Sequence, residues 1–306
     1  GFVNSDHTPL RTGGRMPDFK PYLVIGLALG GVYAMSGVGL VVLYRTTGVL
    51  NLFYGAVGAL CSLTAWELIN EYGWNQYLAF ATVIVLGGLL TLAYGWVLGP
   101  PLANRDPLVK AAASLGFALI LLGFMQWNWT ADVRSLKLPT SNWQYVNGWL
   151  RINWTQGLGI LFPIGLAIIT VIFLNGTKVG TGMRALADDR DNAALLGVPV
   201  RKVEAWAWFG SGIIFGVAGL LLASLVSMEI AALTFTLPVA ALAAALIGRV
   251  ESLLATVVGA FVIGLVQSSL GAMNSIAQYR NTTPFVIAIM VLLYFGWRGD
   301  TEGRVA

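Results

Sequence analysis

Long apolar blocks alternate with short charged segments along the whole chain. Nine stretches carry no Asp, Glu, Lys or Arg: 21–44, 46–66, 72–104, 111–131, 152–177, 205–228, 230–248, 252–279 and 281–297. An α-helix needs roughly 20 apolar residues, with a range of about 17–25, to cross a bilayer. Eight of the nine reach that length comfortably, and 281–297 is marginal. The pattern predicts an all-α polytopic membrane protein with about eight or nine transmembrane helices. Residues 1–20 form a polar, basic tail with Met16 as a candidate native start and no apolar signal segment. Residues 21–297 form the membrane domain, and 298–306 form a second tail.

Two of the blocks read as discontinuous. Asn51 brings a polar amide to membrane depth near Gly48, Gly55 and Gly58. This combination predicts an unwound start to the second helix, tolerable where it lines a cavity or is buried in protein. Block 230–248 holds Pro238 after Thr234 and Thr236. A proline inside a helix frees a backbone carbonyl, so a second break is expected there. Asn51, Gly55, Thr234, Thr236 and Pro238 are therefore candidates for a solute path. A weak repeat relates 26–60 to 210–246, and an odd number of intervening spans would invert one copy relative to the other.

Helix boundaries follow from local chemistry. Gly99-Pro100-Pro101 is expected to end a third helix over 77–99. Further helices are expected over 111–130, 157–175, 205–228 and 252–272. Residues 132–156 form the longest loop on the outer side. Within it, Asn147-Gly148 separates two aromatic, β-prone runs and predicts a two-residue hairpin with a type I′ turn. That hairpin suits a lid or a landing surface for an extracytoplasmic binding protein.

The stretch 178–204 stands apart, with 5 of the 18 Lys/Arg and 4 of the 14 Asp/Glu residues. Thr181 is placed to cap a turn over Met183–Ala187. Asp188 or Asp189 is placed to cap a second turn over Arg190–Leu196. Gly197 suits the left-handed residue after a helix, and Pro199 stops continuation. Leu186 and Ala193 are seven residues apart and so share a face, flanked by Ala187 and Ala194. That face is expected to meet another protein.

Charge fixes the orientation. With 178–204 inside, 11 Lys/Arg lie on the inner side and 4 outside, leaving out the tail 1–20. This obeys the positive-inside rule. The net charge of +4 then reflects loops beside anionic lipid rather than nucleic-acid binding. The chain has one cysteine, Cys61, and one histidine, His7, which lies in the tail. No metal site and no His-based catalysis can be built from them. Intramembrane proteolysis or similar chemistry would need paired acids, a His cluster or a Ser/Lys dyad at depth, whereas Glu67, Asp132 and Glu229 all fall at span ends.

Three separated patches carry a family resemblance. Gly182, Arg184, Ala185, Ala187, Asp189, Ala193, Leu195 and Gly197 fit the pattern G-x-R-A-x-A-x-D-x-x-x-A-x-L-x-G. This resembles the cytoplasmic coupling loop of permeases in the branched-chain amino-acid and urea-amide class of ABC importers. Residues 26–58 are similar to that family's first two membrane segments, and 243–264 to a late glycine-rich stretch. The resemblance implies a permease subunit that forms the path for a small organic solute by alternating access. It implies two separate ABC ATPase subunits, which bind the ATP and Mg2+, because this chain has no G-x-x-x-x-G-K-[ST]. It further implies a second permease, usually a different chain, an extracytoplasmic solute-binding protein, and a bacterial inner membrane with the C-terminus inside. Coupling to the ATPase falls to Arg184, Ala185, Leu186, Ala187, Asp189, Ala193, Leu196 and Gly197. Phe53 and Tyr54 join the solute path through the family's N-F-A-H-G-E motif, which here reads Asn51-Leu52-Phe53-Tyr54-Gly55-Ala56. Tyr54 and Ala56 replace the motif's His and Glu, which suits a less polar or larger cargo. The alternative is an ATP-independent secondary transporter or channel. Such proteins often keep an ionisable relay inside the bilayer, and none is visible here.

Overall fold

The computed structural model describes residues 20–103, 105–130, 134–136, 138, 144–147, 150–226, 228–273 and 277–302. The chain runs α1 (Lys20–Thr47), α2 (Tyr54–Asn70), α3 (Gln76–Leu102), α4 (Pro107–Trp129), β1 (Gln144–Asn147), β2 (Leu150–Asn153) and α5 (Trp154–Gly176). It continues with α6 (Lys178–Asp188), α7 (Arg190–Leu195), α8 (Val200–Leu225), α9 (Ile230–Ile247) and α10 (Leu253–Gly271), and closes with a 3-10 turn and α11 (Thr283–Glu302). Among the described residues seven helices are long and apolar enough to cross a membrane: α1, α3, α4, α5, α8, α9 and α10. The block 46–66 yields the shorter α2, of 17 residues, and the marginal block 281–297 lies almost wholly within the 20-residue α11. The protein is an all-α polytopic membrane protein with one small hairpin.

Helix α1 is the hub. It packs against α5, α8, α9 and α10 and is the most fully buried span. Small residues make this possible. Where α1 crosses α10, a Cβ on Gly264 would strike the backbone of Gly26 and Gly30. Without that Cβ the two backbones touch, which maximises van der Waals contact where no hydrophobic drive acts between helices. Polar groups tie the helices together. Thr91 of α3 donates to the Trp208 carbonyl of α8 at 2.8 Å, and Tyr33 of α1 donates to Oε1 of Gln267 in α10 at 2.9 Å. The periphery is apolar: Ile120, Leu161, Ile169 and Leu293 are exposed on α4, α5 and α11, as expected of surfaces facing lipid.

Several boundaries differ from the sequence expectation. Helix α3 continues through Pro100 and Pro101 to Leu102, because two prolines in a last turn cost only the bonds to Trp96 and Val97. Helix α5 starts at Trp154 rather than 157. Asn153 and Gln156 close a capping box there, with the side chain of each accepting from backbone N–H groups. Helix α8 starts at Val200, so Arg201, Lys202 and Glu204 belong to its first turns and not to the preceding loop. The strands pair antiparallel with Asn147 opposite Leu150. The connecting pair is therefore 148–149, one residue later than Asn147-Gly148, and the turn itself lies outside the described residues. Residues 132–133 and the tails 1–19 and 303–306 also lie outside them.

Candidate functional site

The helix termini collect at two ends of the bundle, the end that carries α6 and α7 and the end that carries the hairpin. The α6–α7 end is built by capping. The Thr177 hydroxyl accepts from Gly180 N at 2.9 Å and starts α6 four residues earlier than a Thr181 cap would. The Asp189 carboxylate accepts from Asn192 N at 2.9 Å and starts α7. Helix α7 closes in a Schellman arrangement: Val198 N donates to Ala193 O and Gly197 N to Ala194 O, both at 3.0 Å, with Gly197 at φ +86°. Arg190 forms an ion pair with Glu204 of α8 and pins the unit to the membrane helices.

The faces of this unit are reversed from expectation. Leu186 and Ala193 are buried against the protein's own helices, with α6 packed on α1, α5 and α8. Ala185 and Ala187 are half-buried, while Arg184, Asp189 and Gly197 are exposed. The outward apolar surface is instead Leu195 and Leu196, at 85% and 86% exposure. Leu196 is among the residues that the resemblance assigns to coupling, whereas Leu195 enters only through the motif pattern. The available signal was two leucines in succession just before a helix-closing glycine, next to an Ala193 that already supplies the inward contact.

Beside this unit lies a cavity of about 930 Å3, bordered by Arg45, Lys110, Arg190 and Arg249 together with Asp188 and Glu251. Arg45 Nη1 donates to the Glu251 carbonyl at 3.1 Å and so joins the end of α1 to the α9–α10 turn.

The predicted path residues do come together. Residues 48–53 are non-helical and run from the end of α1 into the bundle before α2 begins. Asn51 Oδ1 accepts from Phe53 N at 2.9 Å, and Ser114 of α4 accepts from Leu52 N. The Nδ2 of Asn51 is buried and has no hydrogen-bond partner. Phe53 sits among Tyr94, Phe117 and Trp208, with ring centroids 4.5, 5.0 and 6.3 Å away. Helix α9 is not broken. It runs unbroken through Pro238, and the two helices meet there: a Cβ on Gly55 would strike the Thr234 carbonyl and the Pro238 ring. Tyr54 donates to the Pro238 carbonyl at 2.7 Å. Asn51, Phe53, Tyr54, Gly55, Thr234 and Pro238 are all buried, and Thr236 lines a cavity.

That cavity opens at the hairpin end and holds about 490 Å3 between α1, α8, α9 and α10. Tyr22 and Tyr33 both line it, and eleven residues of helix separate them, so it extends about 16 Å along α1. Its polar groups include Glu229, Gln267, Ser268 and Arg280. Among the described residues no three His, Cys, Asp or Glu groups converge as metal ligands.

Comparison with known proteins agrees with this architecture. The family described as "Branched-chain amino acid transport system / permease component" matches residues 22–294. The chain is 25% identical to the high-affinity branched-chain amino acid transport system permease protein LivH of Escherichia coli K12, over 90% of this chain and 93% of that one. It is 24% identical to the corresponding protein BraD of Pseudomonas aeruginosa, over 91% and 95%. It is also 24% identical to the permease protein LivM of Escherichia coli K12, over 76% of this chain and 60% of that one.

Proposed function

Because the chain belongs to the branched-chain amino acid transport system permease family, and so is a transport subunit rather than an enzyme, we propose that it forms the path for a small organic solute in an ABC importer driven through α6 and α7. The observation that carries this reading is the pair Leu195 and Leu196. Two nearly fully exposed leucines stand on a capped, closed helix at the basic end of the bundle, in a short unit that also exposes Arg184, Asp188, Asp189 and Asp191. Such a contiguous apolar tip in a charged setting is a docking feature rather than a lipid-facing one. It fits a groove on a separate ATPase subunit, which would hold the ATP and Mg2+.

In this reading the α6–α7 end and the C-terminus are cytoplasmic, in the inner membrane of a bacterium. The hairpin end faces outward and receives an extracytoplasmic binding protein, and a second permease of similar type completes the transporter. The solute is a branched-chain or related amino acid, or an amide of similar size. Asn51, Phe53, Tyr54, Gly55, Thr234, Thr236 and Pro238 form the section of the path that is shut in this conformation, with Thr236 at its outer edge. Alternating access follows when pressure on α7 passes through the Arg190–Glu204 pair into α8. The unpaired amide of Asn51 supports a second arrangement of this section, since a buried donor without a partner costs about 1–3 kcal/mol and is relieved when the contact changes.

Leu196→Asp tests the docking reading. The side chain is exposed, so the variant is expected to insert and purify as the parent does. A carboxylate placed in an apolar groove is expected to cut transport and solute-stimulated ATP turnover of the assembled complex by at least about tenfold. Full stimulated turnover in the variant would refute the reading.

A further inference from the structure

A surface groove between the last turns of α3 and the first turns of α8 combines an apolar wall with two guanidiniums. We propose that it holds an anionic phospholipid of the phosphatidylglycerol type, drawn from the leaflet beside the α6–α7 end, with its phosphodiester on Arg201 and Arg190 and its upper acyl chain along Leu92 and Trp96. The inference goes beyond the importer reading and does not depend on it.

Three observations carry it. The first is the grading of the lining. The groove holds about 440 Å3 and runs from Leu92 to Ala103 on α3, eleven residues of helix or about 16 Å. The headgroup layer on each side of a bilayer is only about 5–7 Å deep, so a groove of that length reaches from headgroups into hydrocarbon. Helices α3 and α8 run antiparallel here: a Cβ on Gly95 would strike the Trp208 ring, and one on Gly87 would strike the Gly212 carbonyl. Arg201 and Glu204 therefore stand at the end near Pro100 and Ala103, together with Arg190 of α7, while Leu92, Trp96 and Trp208 lie deeper. A change from ionic to apolar along one groove is the profile of a lipid and not of a soluble ligand.

The second is charge. The ionisable lining is Arg190, Arg201 and Glu204, a net charge of +1. Arg190 is committed in part to Glu204, and Arg201 has no ion pair or side-chain hydrogen bond among the described residues. A free guanidinium beside a partly engaged one suits a phosphodiester, which accepts parallel hydrogen bonds from such donors. A headgroup of net charge −1 balances this lining, whereas a zwitterionic one leaves a cation over. Arg201 is exposed, as a group that meets headgroups must be, and basic pockets between membrane helices take anionic headgroups.

The third is a pair of free acceptors. Pro100 and Pro101 have no N–H, so the carbonyls of Trp96 and Val97 lack their helical donors. Both residues line the groove and both are exposed, at 76% and 62%. The glycerol of the headgroup brings hydroxyls that can donate to such carbonyls. An exposed tryptophan near a helix end is itself an interfacial anchor. A phosphate shared by Arg190 and Arg201 would also tie the start of α7 to α8 beside the Arg190–Glu204 pair, so the lipid braces the joint between the short helical unit and the membrane helices.

The test is photo-cross-linking of lipid to the transporter, purified with the subunits that accompany it and reconstituted in phosphatidylcholine nanodiscs. Three probe lipids share one diazirine-bearing acyl chain and carry phosphatidylglycerol, phosphatidylethanolamine or phosphatidylcholine headgroups. Peptide mass spectrometry locates the adducts, and those at residues 92–103 are measured against those at the lipid-facing Leu161 and Ile169 of α5. One Lys/Arg contact at a membrane surface changes occupancy roughly fivefold, so the phosphatidylglycerol probe is expected to raise this ratio at least about fivefold over phosphatidylcholine, with phosphatidylethanolamine close to phosphatidylcholine. Arg201→Gln is expected to bring the phosphatidylglycerol ratio down to the phosphatidylcholine value. Gly99→Leu fills the groove without meeting the protein, since a Cβ there has nothing within 4 Å, and is expected to remove the same excess with every charge in place. Equal ratios for the three headgroups, or an excess that survives both variants, overturn the site. A phosphatidylethanolamine ratio as high as that of phosphatidylglycerol overturns the assignment of an anionic lipid. All of these outcomes leave the importer reading standing.

Discussion

Tyr54 illustrates how one side chain holds the shut section together. Its ring stacks on Phe215 at 4.8 Å, and its hydroxyl reaches the Pro238 carbonyl of α9. Pro238 has no N–H, so the Thr234 carbonyl one turn earlier loses its helical donor, and Gly55 brings the α2 backbone directly against that carbonyl. Tyrosine and glycine in succession therefore pack against a proline-weakened stretch of the neighbouring helix. Tyr54→Phe keeps the stacking and removes the hydrogen bond. It is expected to lower stability by about 1 kcal/mol, the usual net worth of such a bond, and to leave the fold intact. Denaturant titration of the purified protein in detergent checks this, and a change of several kcal/mol or none would show that the contact is misjudged.

At the scale of elements, the capped pair α6 and α7 is the feature on which the proposed docking depends. Asp189 accepts from Asn192 N and also from Asn192 Nδ2 at 2.7 Å. Asp189→Ala is expected to cost about 1 kcal/mol of local helix stability. Hydrogen exchange at the α7 amides should then quicken about fivefold, while exchange in α1 and α10 stays as it was; equal acceleration everywhere would contradict a local role. The spans were legible because charge-free blocks of about 20 residues leave no other stable fold. The unwound start of α2 was legible too, in Gly48 and Asn51. Helix α9 was not, since a proline is tolerated in a membrane helix that is packed in protein, and the packing of Gly55 and Tyr54 against it comes from a segment far away in sequence. The orientation of α6 and α7 escaped for a different reason. A seven-residue spacing says that Leu186 and Ala193 share a face, but only packing against α1, α5 and α8 decides that this face turns inward. The outer cavity was unreadable because its lining comes from α1, α8, α9 and α10, which lie far apart in sequence.

For the whole molecule, the alternation of helices places α1 and α2 in directions opposite to α8 and α9, and the two pairs interlock around α1 at the centre. The basic cavity and the α7 tip then lie at one end, with the outer cavity and the hairpin at the other. A solute entering at the hairpin end would meet the closed contact between α2 and α9 before the inner side, and a push on α7 bears on α8, which touches α1, α2 and α3. The proposed docking tip and the outer cavity are thus separated by the thickness of the bundle and joined by α8. The most direct measurement is site-specific cross-linking in native membranes, with a photoreactive side chain at position 196 of the fully assembled transporter. The account predicts a covalent adduct between Leu196's position and the ATPase subunit. Adducts with lipid alone, or with a protein reached only from the outer face, would contradict it.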